Sequence, residues 1–266
     1  MSLYAAVFQY PDLFMNVFRR ELYGKYRGSV LGLVWTLINP LALMAVYTLV
    51  FSILLKAFSE KLDPYPLFVL SGLVTWVFFQ SAVQMSCSSL FGQPTLIKQV
   101  QFPRQMLPLA VVATNAVTLL VMLLAVVIVN VIFIPETRST FWAAFPMIVP
   151  LVALASGLAV VLGYVTVVYR DVEHLMTTVL LPWFFLTPIF YTLDDLPGIR
   201  DREWLADLLQ YANFVTPFVD AIRDPIFFGK LPSLGNVAYC FVVSLIALGL
   251  GTLGARRFDD QVAAQL

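Results

Sequence analysis

"RRELYGKYRGSVLGLVWTLINPLALMAVYTLVFSILLK", residues 19–56, carries five charged residues, Arg19, Arg20, Glu21, Lys25 and Arg27, in its first nine positions and no other until Lys56. A bilayer hydrocarbon core is about 30 Å thick and takes roughly 20 helical residues to cross, so the uncharged run from 28 to 55 is long enough for a span. It is too long for the apolar part of a cleavable signal and is expected to stay in the chain as a span. A basic cluster set hard against one end of such a run pins that end to the cytoplasmic face.

Working outward, five further stretches lack Asp, Glu, Lys and Arg: 64–97, 105–135, 139–169, 175–193 and 231–255. Trimmed at their Pro and Gly flanks, the six runs predict transmembrane helices at 30–55, 66–90, 106–134, 140–168, 175–192 and 232–255. Composition agrees. The 266 residues are 60% hydrophobic with mean hydropathy +0.86 and 12% charged, about half the ~25% charged residues of a soluble domain. The expected fold is therefore all-α, a polytopic membrane protein in a single domain, 1–266.

An even number of crossings puts both termini on one side. Arg19, Arg20, Lys25, Arg27, Lys98, Arg104, Arg170, Arg256 and Arg257 fall on that side, against Lys56, Lys61 and Arg138 in the short loops opposite. A fifth loop on the far side holds four more basic residues among seven acids. The bias of the short loops makes the first side cytoplasmic.

Several function classes lose support. Net charge is zero, so no bulk basic field exists to hold nucleic acid. Cys87 and Cys240 stand far apart in apolar stretches without zinc-ligand spacing, as small core residues. Gly24-Lys25 is followed by Tyr26 and Gly229-Lys230 by Leu231, so no phosphate-cradling GxxxxGK[ST] loop is present and the chain has no ATPase motif of its own. The spans lack the intramembrane carboxylates and histidines that ion-coupled carriers use. His174, beside Arg170, Asp171 and Glu173, reads as a solvated loop face, with acid–base work in a membrane enzyme as the alternative.

Three segments between the spans have chemistry of their own. In 12–27, Phe14, Phe18 and Leu22 recur at i+4 behind Pro11 and Asp12, which suits an amphipathic helix along the membrane surface with Arg19, Arg20, Lys25 and Arg27 toward anionic headgroups. An ordinary stop signal with frayed residues before it is the alternative. In 94–104, Pro94 opens a short helix with Leu96, Ile97 and Val100 on one face and Lys98 on the other, closed by Phe102 before Pro103 and Arg104. Such a peg fits a groove on a partner protein, or else skims the membrane. In 203–228, Trp204, Leu205, Leu208 and Leu209 form one face, and Phe218, Val219 and Ile222 a second ahead of Phe227. These are either re-entrant helices shielded by the spans or a resting surface pair. Aromatics crowd spans two and five, where sugar binding, lipid contact and helix packing all remain open.

Taken together, "RRELYGKYRGSVLGLVWTLINPL", "LIKQVQFPRQMLPLA", "VVYRDVEHL", "PWFFLTPIFY" and "VTPFVDAIRDPIF" resemble, in order along nearly the whole chain, the transmembrane permease subunits of type-2 ATP-binding-cassette exporters. The resemblance is strongest to the branch that exports lipid-linked polysaccharides such as O-antigen, teichoic acid or galactan. It implies a bacterial cytoplasmic (inner) membrane protein paired with a second copy of itself and with two ABC nucleotide-binding subunits. Those subunits hold ATP and Mg, while this chain binds no cofactor or metal. It further implies an undecaprenyl-linked polysaccharide as cargo and a coupling helix at Pro94, Leu96, Ile97, Lys98, Val100, Phe102 and Arg104. Path-lining aromatics would be Trp35, Trp76, Phe79, Trp183, Phe185 and Tyr191, with gate residues Trp204, Phe218 and Phe227. A drug-exporter permease of the same architecture, a membrane enzyme and a passive channel are the competing classes.

Overall fold

The structure is a computed structural model that describes residues 7, 9–29, 32–54, 62–92, 103–193 and 203–265. The described residues form helices and turns, with no strand among them. A first helix, α1 (Pro11–Tyr26), starts with Pro at its first turn and Asp12 beside it, and ends with Lys25 in its last turn. Both choices suit the helix dipole and the unsatisfied groups at its ends. Gly28, at φ 77°, then turns the chain away.

Among the described residues, five helices have the length and hydropathy to cross a bilayer. The first, α2, runs Trp35–Tyr47 and continues as wider π-helical turns over Thr48–Leu54. It is followed by α3 (Tyr65–Cys87) and α4 (Met106–Phe133). Short 3-10 turns over Pro135–Ala144 then lead into α5 (Ile148–Val168). The last, α9 (Leu234–Gln265), continues ten residues past the expected end at 255.

The fifth expected span differs. Its helix, α6 (Asp171–Leu186), has 16 residues, about 24 Å at 1.5 Å per residue, short of a hydrocarbon core of about 30 Å. Pro182 lies within it, and after Leu186 the backbone leaves helical geometry at Thr187. The remainder, Thr187–Phe190, is buried and irregular. Carbonyls in such a stretch need donors from the protein, and two other parts of the chain supply them. Arg223 Nη1 donates to the Pro188 carbonyl at 2.7 Å. The Tyr65 hydroxyl donates to the Phe190 carbonyl at 3.0 Å. The Tyr191 hydroxyl reaches back to the last carbonyls of α6, at 3.3 and 3.4 Å. Asn213 Nδ2 holds the Thr187 hydroxyl at 2.9 Å.

Arg223 belongs to the fifth loop, which forms α7 (Glu203–Tyr211) and α8 (Thr216–Arg223), the latter extended by π-helical turns over Asp224–Phe228. Almost every residue of α8 is buried. The Arg223 side chain, 3% exposed, pairs with Asp220 and lies 4.6 Å from the Phe68 ring centre. Around it, Asn130 Nδ2 donates to the Ile226 carbonyl at 2.6 Å and the Thr140 hydroxyl to the Pro225 carbonyl at 2.8 Å. The third and fifth loops therefore close the same end of the bundle.

At the bundle's centre stands α3, buried around its whole circumference through Phe68, Val69, Leu73, Trp76, Phe78 and Phe79, as expected of a helix that is apolar on every side. On its flank, α2 has Pro40 as the one buried residue between Trp35 and Ile53. A close crossing joins α5 and α9, where a Cβ on Gly157 would overlap the main chain of Ala247. The two backbones touch there with no side chain between them, a close approach open only to small residues. Cys87 and Cys240 are free and buried, as expected.

Arg223→Met keeps the volume of the buried side chain but removes the donor to Pro188 and the partner of Asp220. A buried ion pair broken on one side costs about 3–5 kcal/mol. The expected outcome is a sharply lower thermal midpoint in detergent micelles, whereas Arg20→Met, on the exposed face of α1, changes it little.

Candidate functional site: a lysine-bearing cavity beside the first span

The apolar face of α1 packs on protein. Phe14, Val17 and Phe18 join a second, smaller core with Leu90 after α3, Leu107 and Ala110 of α4, Val160 and Tyr164 of α5, and Ala255 and Val262 of α9. Segments carrying the basic bias of the sequence thus gather at one end of the bundle, opposite the third and fifth loops. With that face held, the last turn of α1 turns two polar side chains toward α4.

Lys25 Nζ donates to Asn115 Oδ1 at 2.9 Å and to the Thr118 hydroxyl at 3.2 Å. The Tyr26 hydroxyl shares a hydrogen bond with the same Thr118 hydroxyl at 3.1 Å. Asn115 is oriented for the task because its amide donates to the Val111 carbonyl at 2.9 Å, which leaves Oδ1 for the ammonium. Thr118 stands twelve residues past Met106, the start of α4, so the contact lies about 18 Å along that helix. A cation at such depth is costly unless paired or functional. Burial pushes the Lys25 ammonium below the ordinary lysine value. Two of its three protons are engaged with α4, and neither acceptor carries a charge.

Lys25 and Tyr26 border a cavity of about 300 Å³. Ser29, Gly32, Trp35, Thr36, Asn39 and Pro40 line it from the chain that turns into α2, Val77 and Ser81 from α3, and Thr118 from α4. Its wall thus combines a cation, hydroxyls and an amide with an indole, a proline and a valine. Such a surface suits a polar or anionic group attached to an apolar body. Long-range contacts assemble it. The one sequence signal was the basic cluster, which did not separate Lys25 from Arg19, Arg20 and Arg27, and those three are exposed.

The expected path aromatics divide. Trp76 and Phe79 are buried inside the chain, in a ring cluster with Trp183, Phe184 and Phe214. Trp183 is partly exposed and its Nε1 donates to Asn213 at 2.8 Å, binding α6 to the turn before α8. Trp35 and Phe185 are 54% and 49% exposed and Tyr191 is partly exposed. Of the expected gate residues, Phe218 and Phe227 are buried and Trp204 is open to its surroundings. In the expected coupling segment, Pro94, Leu96, Ile97, Lys98, Val100 and Phe102 lie outside the described residues, and Arg104 lies within them. His174 is exposed beside Arg170 and Asp171, and no group of side chains fit for a metal ion occurs among the described residues.

An all-helical bundle with several bilayer-length helices and a cation held at depth beside a polar cavity defines a multi-pass membrane protein. By its match to the family model over residues 12–227, the chain belongs to the ABC-2 type transporter family of membrane proteins. Relatives include an O-antigen export system permease protein of Myxococcus xanthus, 30% identical over 82% of this chain and 83% of its own length. Two proteins of the same description from Klebsiella pneumoniae are 25% and 26% identical, over 93% and 94% of this chain and 91% and 94% of theirs.

Asn115→Leu leaves the Lys25 ammonium short of an acceptor, at a cost of about 1–3 kcal/mol. It is expected to loosen α1, read as faster proteolysis between α1 and α2 and a lower thermal midpoint. Arg19→Gln, on the exposed face, is expected to stay within about 0.5 kcal/mol of the parent chain.

Proposed function

We propose that this chain is the membrane-spanning subunit of an ATP-driven exporter that moves undecaprenyl-linked polysaccharide outward across the cytoplasmic membrane of a bacterium. The observation that carries the proposal is family membership joined to likeness, over four fifths or more of the chain, to proteins described as O-antigen export permeases. In this proposal the chain pairs with a second copy of itself and with two nucleotide-binding subunits that hold ATP and Mg. The segment from Pro94 to Arg104 docks on them. Both termini lie in the cytoplasm, which the Lys and Arg bias of the short loops supports.

The Lys25 cavity receives the diphosphate of the lipid carrier. Lys25 has a proton to spare for a phosphate oxygen, and Tyr26, Ser29 and Asn39 supply further polar contacts. Trp35 covers the apolar side, where an isoprenoid chain would leave the site for lipid. Arg19, Arg20 and Arg27 attract the anion to this end of the bundle. Trp35, Phe185 and Tyr191, the exposed or partly exposed members of the aromatic set, face the path between two copies. Trp76, Phe79 and Trp183 hold the wall behind them. The helices α7 and α8 act as the outer gate, with Phe218 and Phe227 as its packed base and Trp204 at its open edge.

Purification from bacterial membranes is expected to bring down an ATPase subunit. In proteoliposomes, undecaprenyl diphosphate-linked glycan extracted from the producing cells is expected to raise ATP hydrolysis by that complex. Lys25→Gln should cut the stimulated rate at least tenfold with the basal rate within twofold. The pair Arg19→Gln and Arg20→Gln should cut it by less than threefold. Stimulation by hydrophobic drugs in place of the glycan, or uphill transport with no ATPase subunit present, is the result that overturns the proposal.

A further inference from the structure

At 32 residues, α9 is about 48 Å long, well beyond a hydrocarbon core of about 30 Å. Its surplus, with Arg256, Arg257, Asp259 and Asp260, extends past the membrane at the end where α1 docks. There it meets the chain just before α4. Arg104 Nη1 donates to the Asp259 carboxylate at 2.9 Å and to the Asp259 main-chain carbonyl at 3.0 Å. From α5, the Tyr164 hydroxyl donates to the same carboxylate at 3.4 Å, and its ring is buried in the second core. One aspartate therefore joins α9, α5 and the start of α4.

We propose that Asp259 is a positioning residue for energy transmission, a strut that makes α4, α5 and α9 answer together to displacement of the cytoplasmic segment ending at Arg104. The proposal rests on the reading that this segment docks on the nucleotide-binding subunits. Stability does not explain the arrangement. The Asp259 side chain is 55% exposed, exposed ion pairs contribute little to folding, and the apolar contacts beneath already hold the three helices together. What the pair adds is direction. A guanidinium that bonds both the side chain and the main chain of one residue fixes register along α9 as well as distance. The segment leading into α4 cannot shift while that contact lasts without carrying the end of α9, and Tyr164 adds α5.

The test uses the permease–ATPase complex in proteoliposomes, with the lipid-linked glycan extracted from the producing cells as probe. For Asp259→Asn, the ATPase subunits are expected to co-purify in the parent ratio, the thermal midpoint to stay within about 2 °C, and basal ATP hydrolysis to stay within twofold. Glycan-stimulated hydrolysis is expected to fall at least fivefold. Asp259→Glu, which keeps a charged acceptor, should recover at least half of the loss. Arg104→Gln alone, and combined with Asp259→Asn, should lose no more than Asp259→Asn does, because the two act through one contact. Unchanged stimulation in Asp259→Asn, a loss that tracks a falling thermal midpoint, or losses that multiply in the double variant would each overturn the strut. If the parent chain brings down no ATPase subunit, the proposed function fails and the strut with it. If the parent complex forms and responds to glycan while the Asp259 variants behave like it, the strut alone fails.

Discussion

The end of the molecule closed by the third and fifth loops depends on one constraint: a peptide carbonyl away from water must find a donor. Because α6 stops at Leu186, the carbonyls of Pro188 and Phe190 are satisfied by Arg223 and Tyr65, from two other parts of the chain. This explains why a loop rich in acids folds back into the bundle. Its arginine completes a broken span, and Asp220, together with the face of Phe68, makes burial of that arginine tolerable. The π-helical turns after α8 then bring the Pro225 and Ile226 carbonyls within reach of Thr140 and Asn130.

The opposite end solves a related problem differently. Lys25 is a formal charge whose bonded partners, Asn115 and Thr118, are neutral. Two polar acceptors on α4 hold it in place without cancelling its charge, which leaves the attraction for an anion intact. A carboxylate in place of Asn115 would have neutralised it. The main core and the second core are separate clusters, and α4, α5 and α9 contribute residues to both.

Much of this was legible in the residues. Charge spacing alone located α2, α3, α4, α5 and α9, because a run of twenty uncharged residues has few other uses. The periodicity of Phe14, Phe18 and Leu22 located α1. It could not tell whether the face meets lipid or protein, since both reward the same apolar stripe, and Val17 and Phe18 meet protein. Composition made 175–192 look like an ordinary span. The stop at Thr187 goes with contacts spanning 26 and 35 positions, Asn213 to Thr187 and Arg223 to Pro188, which no local pattern carries. For the same reason Trp76 and Trp183 looked alike in sequence, yet one is buried and the other half open. The selection of Lys25 from four neighbouring cations depends on acceptors some ninety residues downstream.

The bare contact of Gly157 with Ala247 has a mechanical consequence. At that point no side chain separates α5 and α9, so the layer of rotamers that lets packed helices slide past each other is missing there and the pair resists moving apart. Whatever room a bulky solute requires must then be made by parting other seams. The flank of α2, least enclosed of the five long helices, is where such a seam costs the fewest native contacts.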